Sequence, residues 1–458
     1  MSSAVDPSIV IEFERVIGEL NSRWPENQIE PSLTRIAYLL SILGDPQDAF
    51  DVIHVAGTNG KTSTSRMIEG LLSEFGLTTG LTTSPHLHDV RERIRIYGES
   101  IDIPRFVDTY NDIAPYIDMT DAELEQSTGT KLSYFETLTA MAFAAFAEAP
   151  IDVAVVEVGL GGRWDATNVV KPQVAVITPI GLDHQSYLGD TIEEIAAEKA
   201  GIIKPGAVVV CGYQEPAALE VITARAEEVG AALLLQGRDF AVVDRAIAVG
   251  GQVLSIKGIG GTYSDIIIAL HGQHQANNAA LALAAVEAFF GAGVDERQLD
   301  IDGTRTGLAK VTSPGRMEIV RRGPTIMVDA AHNPHGARAL TNAIADEFSF
   351  DRLIVVLGMF ADKDASGFIE VIEPIATTLI VTQAISDRAL PADDLYNKVI
   401  EIVDVDKVEK RQTLADAIDR AIELADEANV EEVSVGILVT GSVVTAAQAR
   451  ALLGRRSA

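Results

Sequence analysis

In the stretch VIHVAGTNGKTSTSRMIEG, Val52 to Gly70, a GTNGKT segment lies between an apolar run and a helical pattern. Those residue types suit a phosphate cradle. Glycines let backbone N–H groups close on an anion, a helix N-terminus lies behind them, a lysine adds charge and a hydroxyl can reach a divalent cation. Gly57 and Gly60 permit the close approach, Lys61 faces the phosphates and Thr62 is the candidate metal ligand. The standard P-loop carries a glycine six residues before the lysine; Val55 stands there, so this loop is shorter than that pattern. Strand, glycine bend and helix nevertheless follow in the order a nucleotide-phosphate site requires.

Other groups with ligand chemistry fall at the ends of apolar runs. Glu157 closes VAVVEV, His184 follows VAVITPIGLD, and Ser84 lies in TTSPHL. Together they can complete a set for a second Mg²⁺, although histidine is a less usual partner for so hard an ion. GLGGRWDATN, Gly159 to Asn168, is too flexible in composition to fill a core and reads as a binding loop. In RERIR, Arg91 to Arg95, three arginines at alternate positions of a strand entry would share one face, as a solvated edge or as contacts to an anion. Two residues have plain readings: Lys199 alone is a helix lysine, and Phe135 in YFETLTAMAFAAF alone is a core aromatic.

Such groups need elements that bring strand ends together. Val- and Ile-rich runs alternate with helical patterns along almost the whole chain, which predicts parallel strands joined by crossover helices. DVIHVA, DVAVVEVG and VAVITPI read as buried strands, with the chemistry at their carboxyl ends. Between about Leu233 and Leu270, short alternating segments predict a small antiparallel subsheet, and GQHQANNAALALAAVEAFFGAG then predicts a long alanine-rich helix. TIMVDAA, RLIVVLG, TLIVTQ and VSVGILVTGS predict a second α/β series from Arg316 onward, after a turn-rich DGTRTGLAKVTSPG. The expected organisation is an N-terminal P-loop-type domain over 1–305, a linker over 306–315 and a Rossmann-like domain over 316–458, with a cleft between the two domains.

A chain of 458 residues with a formal charge of −30 has few cations to neutralise phosphates, which argues against nonspecific nucleic-acid binding. Asp6, Glu12 and Glu14 stand where a secretory signal would be basic and then apolar. The uncharged run Ile266 to Val286 carries His, Gln and Asn side chains unsuited to a bilayer. Cys211 is the only cysteine, so no internal disulfide forms and a reducing, cytoplasmic setting is expected. A monomer is expected.

The segments HVAGTNGKTS, TSPHL, SYFETLTAMAF, EVGLGGRWDATN, LDH, EKAGIIKP, HQANN, SPGRME, DAAHNPHG and TGS follow one another from residue 54 to 442. In that order and spacing the chain resembles the folylpolyglutamate synthase/dihydrofolate synthase family of the Mur ligase superfamily, whose phosphate cradle is this shorter loop. The resemblance implies ATP at Gly57, Thr58, Asn59, Gly60, Lys61 and Thr62, with Asn277, Arg316 and Asp329 also on the nucleotide. It implies two Mg²⁺ sites drawing on Thr62, Ser84, Glu157, His184 and Lys199, the lysine carried as a carbamate, because an ammonium cannot ligate Mg²⁺. His332 and Ser442 match positions linked to glutamate or nucleotide, and Phe135 and Asp165 match a pterin-side pocket. Ala330, Trp164 and Val443–Val444 depart from the family's usual residues.

The implied activity is amide ligation driven by ATP, with Lys61, Lys199 and His332 as its catalytic residues. L-Glutamate would be joined through an acyl phosphate to dihydropteroate and to reduced folates, with a folylpolyglutamate synthase alone as the narrower reading. A cell-wall Mur ligase would carry a further N-terminal domain, and only 56 residues precede Gly57. A P-loop switch protein would leave DAAHNP unexplained, and an inactive scaffold would be expected to lose its metal ligands.

Overall fold

The computed structural model describes residues 6–25, 30–292, 297–429 and 433–455. Its first sheet has eight strands: β1 (Asp51–Ala56), β2 (Thr79–Thr82), β3 (Ile94–Ile96), β4 (Glu99–Ser100), β5 (Val153–Glu157), β6 (Val174–Ile177), β7 (Val208–Cys211) and β8 (Ala232–Leu235). They lie in the order β4-β3-β2-β5-β1-β6-β7-β8, all parallel except β3 and β4. β1 is central, which is why five of its six residues are buried and the run reads as continuously apolar. The chain runs from β1 outward to β2, returns through β5, and then continues with β6 on the other side of β1. That reversal opens a crevice at the carboxyl end of β1, the place where open α/β sheets take their ligands.

A three-stranded antiparallel sheet follows, of β9 (Ala241–Ala248), β10 (Gly251–Lys257) and β11 (Thr262–Ile268). The antiparallel subsheet expected from about Leu233 thus begins at Ala241, and Ala232–Leu235 instead extends the main sheet as β8. The helix Gln273–Phe289 is buried on nearly every face and shares one core with β1, β5, β6, β10 and β11. Burial all round explains its weak amphipathic signal, and its alanines let both sheets come close.

The second sheet holds β12 (Glu318–Arg322), β13 (Thr325–Val328), β14 (Arg352–Leu357), β15 (Thr378–Val381), β16 (Val408–Lys410) and β17 (Val435–Thr440), ordered β12-β13-β17-β14-β15-β16. Two of these, the antiparallel edge β12 and the short β16, carry too few apolar residues to stand out in sequence. The supposed turn segment is different again: Ile301–Ala309 is a helix capped by Asp300 and packed on the helix Lys61–Glu74. Gly303 and Gly307 are interior to it, and Gly307 lets it approach the backbone of Gly70 and Leu71. Residues 306–309 therefore belong to the first domain's packing.

Arg91, Arg93 and Arg95 do not share a strand face. Val90–Arg93 is a 3-10 turn and only Arg95 lies in β3, because Asp89 and Glu92 form a capping box that winds the entry. Arg91 pairs with Asp89 and Arg95 with Glu69.

Candidate active site

The glycine loop leaves β1 level with the ends of β5 and β6. Val55 is paired with Glu157, and Ala56 with Ile177. Gly57 (φ +148°) passes so close to β6 that a Cβ there would lie 1.8 Å from Thr178 Oγ1, and Gly60 (φ +89°) would meet Asn278 Oδ1 at 2.8 Å. Both glycines are required by contact as well as by backbone angle. The helix Lys61–Glu74 begins at Gly60 with no side-chain cap, so its first N–H groups are left for an anion. Lys61 Nζ turns back onto the carbonyls of Gly57 and Thr58, at 3.1 and 3.2 Å.

Beside the loop, Thr62 Oγ1 donates to Glu157 Oε1 at 2.9 Å. Glu157 Oε2 is buried with no hydrogen-bond partner. Burial pushes this carboxyl up to about 7, against the opposing charge of Lys61 and the bond from Thr62. An orphaned carboxylate oxygen next to a hydroxyl is a donor pair that suits a hard divalent cation. Among the described residues no three His, Cys, Asp or Glu side chains group as a metal cluster, so the expected ligand set depends on hydroxyls and on a modified lysine.

Lys199 ends the helix Ile192–Lys199 and donates to Gly57 O at 2.8 Å. Burial, reinforced by the charge of Lys61, lowers its amine to about 7. The lysine is thus a partly neutral amine held under the phosphate loop.

A cross-domain cluster faces the same space. Lys363 donates to Asp183 Oδ1 at 2.5 Å and meets His184 Nε2 at 3.1 Å; Asn333 Nδ2 donates to Asp183 Oδ2 at 2.8 Å, and His332 Nε2 lies 3.3 Å from that oxygen. Burial opposes the Asp183 charge, but the bond from His332 and the charges of His332, Lys363 and His184 outweigh it and hold the carboxyl well below its usual range. Burial keeps His184 neutral, down to about 3, and its Nε2 lone pair accepts from Lys363. Asn59 of the glycine loop meets Asn333 Oδ1 at 3.1 Å and His335 Nδ1 at 2.8 Å, so the loop itself touches the second domain.

Two cavities adjoin here. A pocket of about 120 Å³ is lined by residues 57–62, Ser84, Glu157, His184, Lys199, Arg316 and His332. A larger cavity of about 1020 Å³ is lined by Phe135, Asp165 and Ser442, and shares Ser84, His184 and His332 with the first. Most residues expected at the site are therefore brought together.

Three expected residues stand differently. Asn277 bonds Gln273 on the outer side of its helix, and its neighbour Asn278 is the one that packs against Gly60. Asp329 lines neither cavity; it accepts from Met317 N and Ala331 N and so shapes the segments carrying Arg316 and His332. Asp165 lines the large cavity, yet its oxygens already accept from Leu160 N, Thr167 N and Thr167 Oγ1. Since the Thr167 hydroxyl gives its only proton to Asp165, its oxygen accepts from His54 Nε2 at 2.9 Å, which fixes the His54 tautomer. Asp165 thus organises the 159–168 loop and has little capacity left for a ligand. Ser442 Oγ caps the helix Val443–Leu452.

Asp183, Lys363, Asn333, His335 and His54 were not picked out by sequence reasoning. Asp183 sits beside His184 within LDH and could have been found there; Lys363 acts across the cleft, and spacing cannot reveal that.

Residues 55–286 match the Mur ligase middle domain and residues 315–443 match the Mur ligase, glutamate ligase domain. The chain is 51% identical to the dihydrofolate synthase/folylpolyglutamate synthase of Mycobacterium tuberculosis, over 98% of this chain and 95% of that protein. It superposes on the Mycobacterium tuberculosis folylpolyglutamate synthase complexed with ADP and AMPPCP with a TM-score of 0.92 and 49% identity, covering 98% and 99% of the two chains. An FPGS–AMPPCP–folate complex matches with a TM-score of 0.81 and 31% identity, over 96% of this chain and 99% of the other. With its glycine loop, acidic strand end and second-domain cluster in the places described, the chain belongs to the dihydrofolate synthase/folylpolyglutamate synthase family of Mur ligases.

Proposed function

We propose that this ATP-dependent ligase adds L-glutamate to both dihydropteroate and reduced folates, through an acyl phosphate. The observation that carries the reading is the meeting of the two cavities at Ser84, His184 and His332. A long acyl substrate filling the larger space can bring its terminal carboxylate to the nucleotide's γ-phosphate. A carboxylate oxygen attacks that phosphorus and ADP leaves; the glutamate amine then attacks the activated carbonyl, and phosphate leaves with the attacking oxygen.

Lys61, freed from the loop carbonyls, balances charge on the transferring phosphoryl group. Thr62 and Ser84 would hold one Mg²⁺, and Glu157, His184 and carbamylated Lys199 the second. When bound, Mg²⁺ neutralises phosphate charge that protein groups alone leave unbalanced. Carbamylation joins a neutral amine to CO₂ with loss of a proton, and an amine near 7 supports it. His332, donating through Nδ1 to Ala330 O at 2.9 Å and held through Nε2 against Asp183, is the group suited to support negative charge that develops on oxygen as the amine attacks. Lys363 and Ser442 line the cavity where glutamate would lie. Phe135 is a contact for the pterin, whereas Asp165 supports it through the loop.

The reading includes a monomer in the cytoplasm without nucleic-acid or membrane partners; among the described residues no helix is long and apolar enough to cross a membrane. ATP consumption measured with dihydropteroate, tetrahydrofolate and a muramyl acceptor in turn tests it. Glutamate should enter the first two and not the third. If only tetrahydrofolate works at any concentration, the dihydropteroate half is wrong.

A further inference from the structure

Residues 159–161 and 164–166 line the large cavity, and the backbone of that loop is fixed on both sides of Trp164. Arg163 N donates to Glu198 O at 2.8 Å, and Arg163 O accepts from Asn168 Nδ2 at 3.0 Å. On the other side Asp165 N donates to Gly162 O at 3.3 Å, while its carboxylate holds Leu160 N, Thr167 N and Thr167 Oγ1. The loop also lies against Phe135: a Cβ on Gly159 would stand 2.5 Å from Phe135 Cζ.

The Trp164 side chain, by contrast, is left open. It lines the cavity and is 50% exposed. Among the described residues its indole takes part in no hydrogen bond, ring contact or cation contact. A large flat ring on a braced backbone loses little freedom when a partner covers it, and it gains by leaving water. Phe135 and Trp164 line only the large cavity, whereas Ser84, His184 and His332 border the phosphate pocket as well. That arrangement orients a long acceptor, with its carboxylate toward the glycine loop and its flat head toward the two aromatics.

We propose that Trp164 is a specificity-determining residue for the acyl substrate: its exposed ring packs on the substrate's flat heteroaromatic head. The proposal rests on the functional reading above. A substrate without such a head leaves the indole in water and gains nothing at this wall.

Trp164→Leu removes the ring and leaves the braced backbone in place. With tetrahydrofolate as acceptor, its KM should rise about fivefold while kcat and the KM values for ATP and glutamate stay level. Trp164→Phe, which restores a smaller ring, should recover part of the loss. Distortion of the loop would move all four constants and would overturn the assignment, as would an unchanged acceptor KM. The chain has two tryptophans, so in Trp24→Phe the emission comes from Trp164 alone. With AMPPCP and Mg²⁺ present, saturating tetrahydrofolate should cut the acrylamide quenching of that emission by about half, and L-glutamate should not. Unchanged quenching at saturating tetrahydrofolate also overturns the assignment, and the kinetic variants decide the matter if Trp24→Phe does not fold. If the wild type itself adds no glutamate to tetrahydrofolate, the functional reading fails and takes this proposal with it; if the wild type turns over and Trp164→Leu matches it, only the Trp164 assignment fails.

Discussion

Thr62 Oγ1 donates to one oxygen of Glu157, and the other oxygen of that carboxylate is buried without a partner. The pair sits where the glycine loop leaves β1, so its charge state bears on both stability and catalysis. Glu157 binds its proton up to about 7 in the fold, against 4.5 ordinarily. Between those values the folded chain holds a proton that the unfolded chain has lost, so stability falls as pH rises through the window. Thermal melts of the protein without metal or nucleotide should show this fall from pH 5 to 7, and Glu157→Gln should flatten it while reducing ligation more than about a hundredfold. Equal slopes in the two proteins would contradict the assignment.

Lys199 gives the opposite sign. Its amine titrates near 7 in the fold and at 10.5 ordinarily, so above 7 the folded chain sheds a proton that the unfolded chain keeps. Stability from this group should rise with pH across that window and disappear below it. Lys199→Ala should lack both the rise and the activity, and short carboxylates should restore some turnover by replacing the carbamate. Full activity in Lys199→Ala would exclude the modification from the mechanism.

Substitutions in the loop should separate binding from folding. Lys61→Ala removes a cation that, among the described residues, hydrogen-bonds to the carbonyls of Gly57 and Thr58, so it should melt like the wild type while ligation is lost. Gly57→Ala forces a Cβ onto Thr178 at a backbone angle that L residues avoid, and should lose nucleotide binding through distortion of the loop. Calorimetry with AMPPCP distinguishes the two: weakened binding on a stable fold for the first, no detectable binding for the second.

The Asp183–Lys363 pair ties the domains together, with both side chains less than a tenth exposed. Asp183→Asn strands a buried ammonium and should destabilise the protein by about 3–5 kcal/mol; adding Lys363→Met should recover much of that. Denaturant melts of the two single variants and the double variant measure the coupling, and strict additivity would show the pair to be energetically silent.

Much of this site was legible because its residues end parallel strands. Gly57, Glu157 and His184 are marked by the apolar runs before them, and sheet order then carries them to one crevice. The helix Ile301–Ala309 was misread because Gly303 and Gly307, which look like turn formers, serve close helix packing. Asp165 was placed at the pterin-side pocket by the family resemblance; only hydrogen-bond geometry shows its oxygens committed to Leu160 and Thr167. Lys363 and Asp183 are 180 residues apart, and nothing local announces a contact made by domain closure.

Asp165→Ala should impair glutamate addition to dihydropteroate although the side chain has little room for the pterin. Its loss frees the N–H groups of Leu160 and Thr167 and loosens the cavity wall. The effect should appear as a higher KM for the acceptor, with ATP binding retained. A normal acceptor KM would mean that the loop holds its shape without Asp165.

The acyl phosphate is the centre of the account, and oxygen transfer tests it most directly. Dihydropteroate carrying ¹⁸O in its carboxylate is turned over with ATP and L-glutamate, and the released inorganic phosphate is analysed by mass spectrometry. Attack of the carboxylate on the γ-phosphate predicts one ¹⁸O in each phosphate, with the other oxygen kept in the new amide. Unlabelled phosphate alongside normal product would contradict the mechanism.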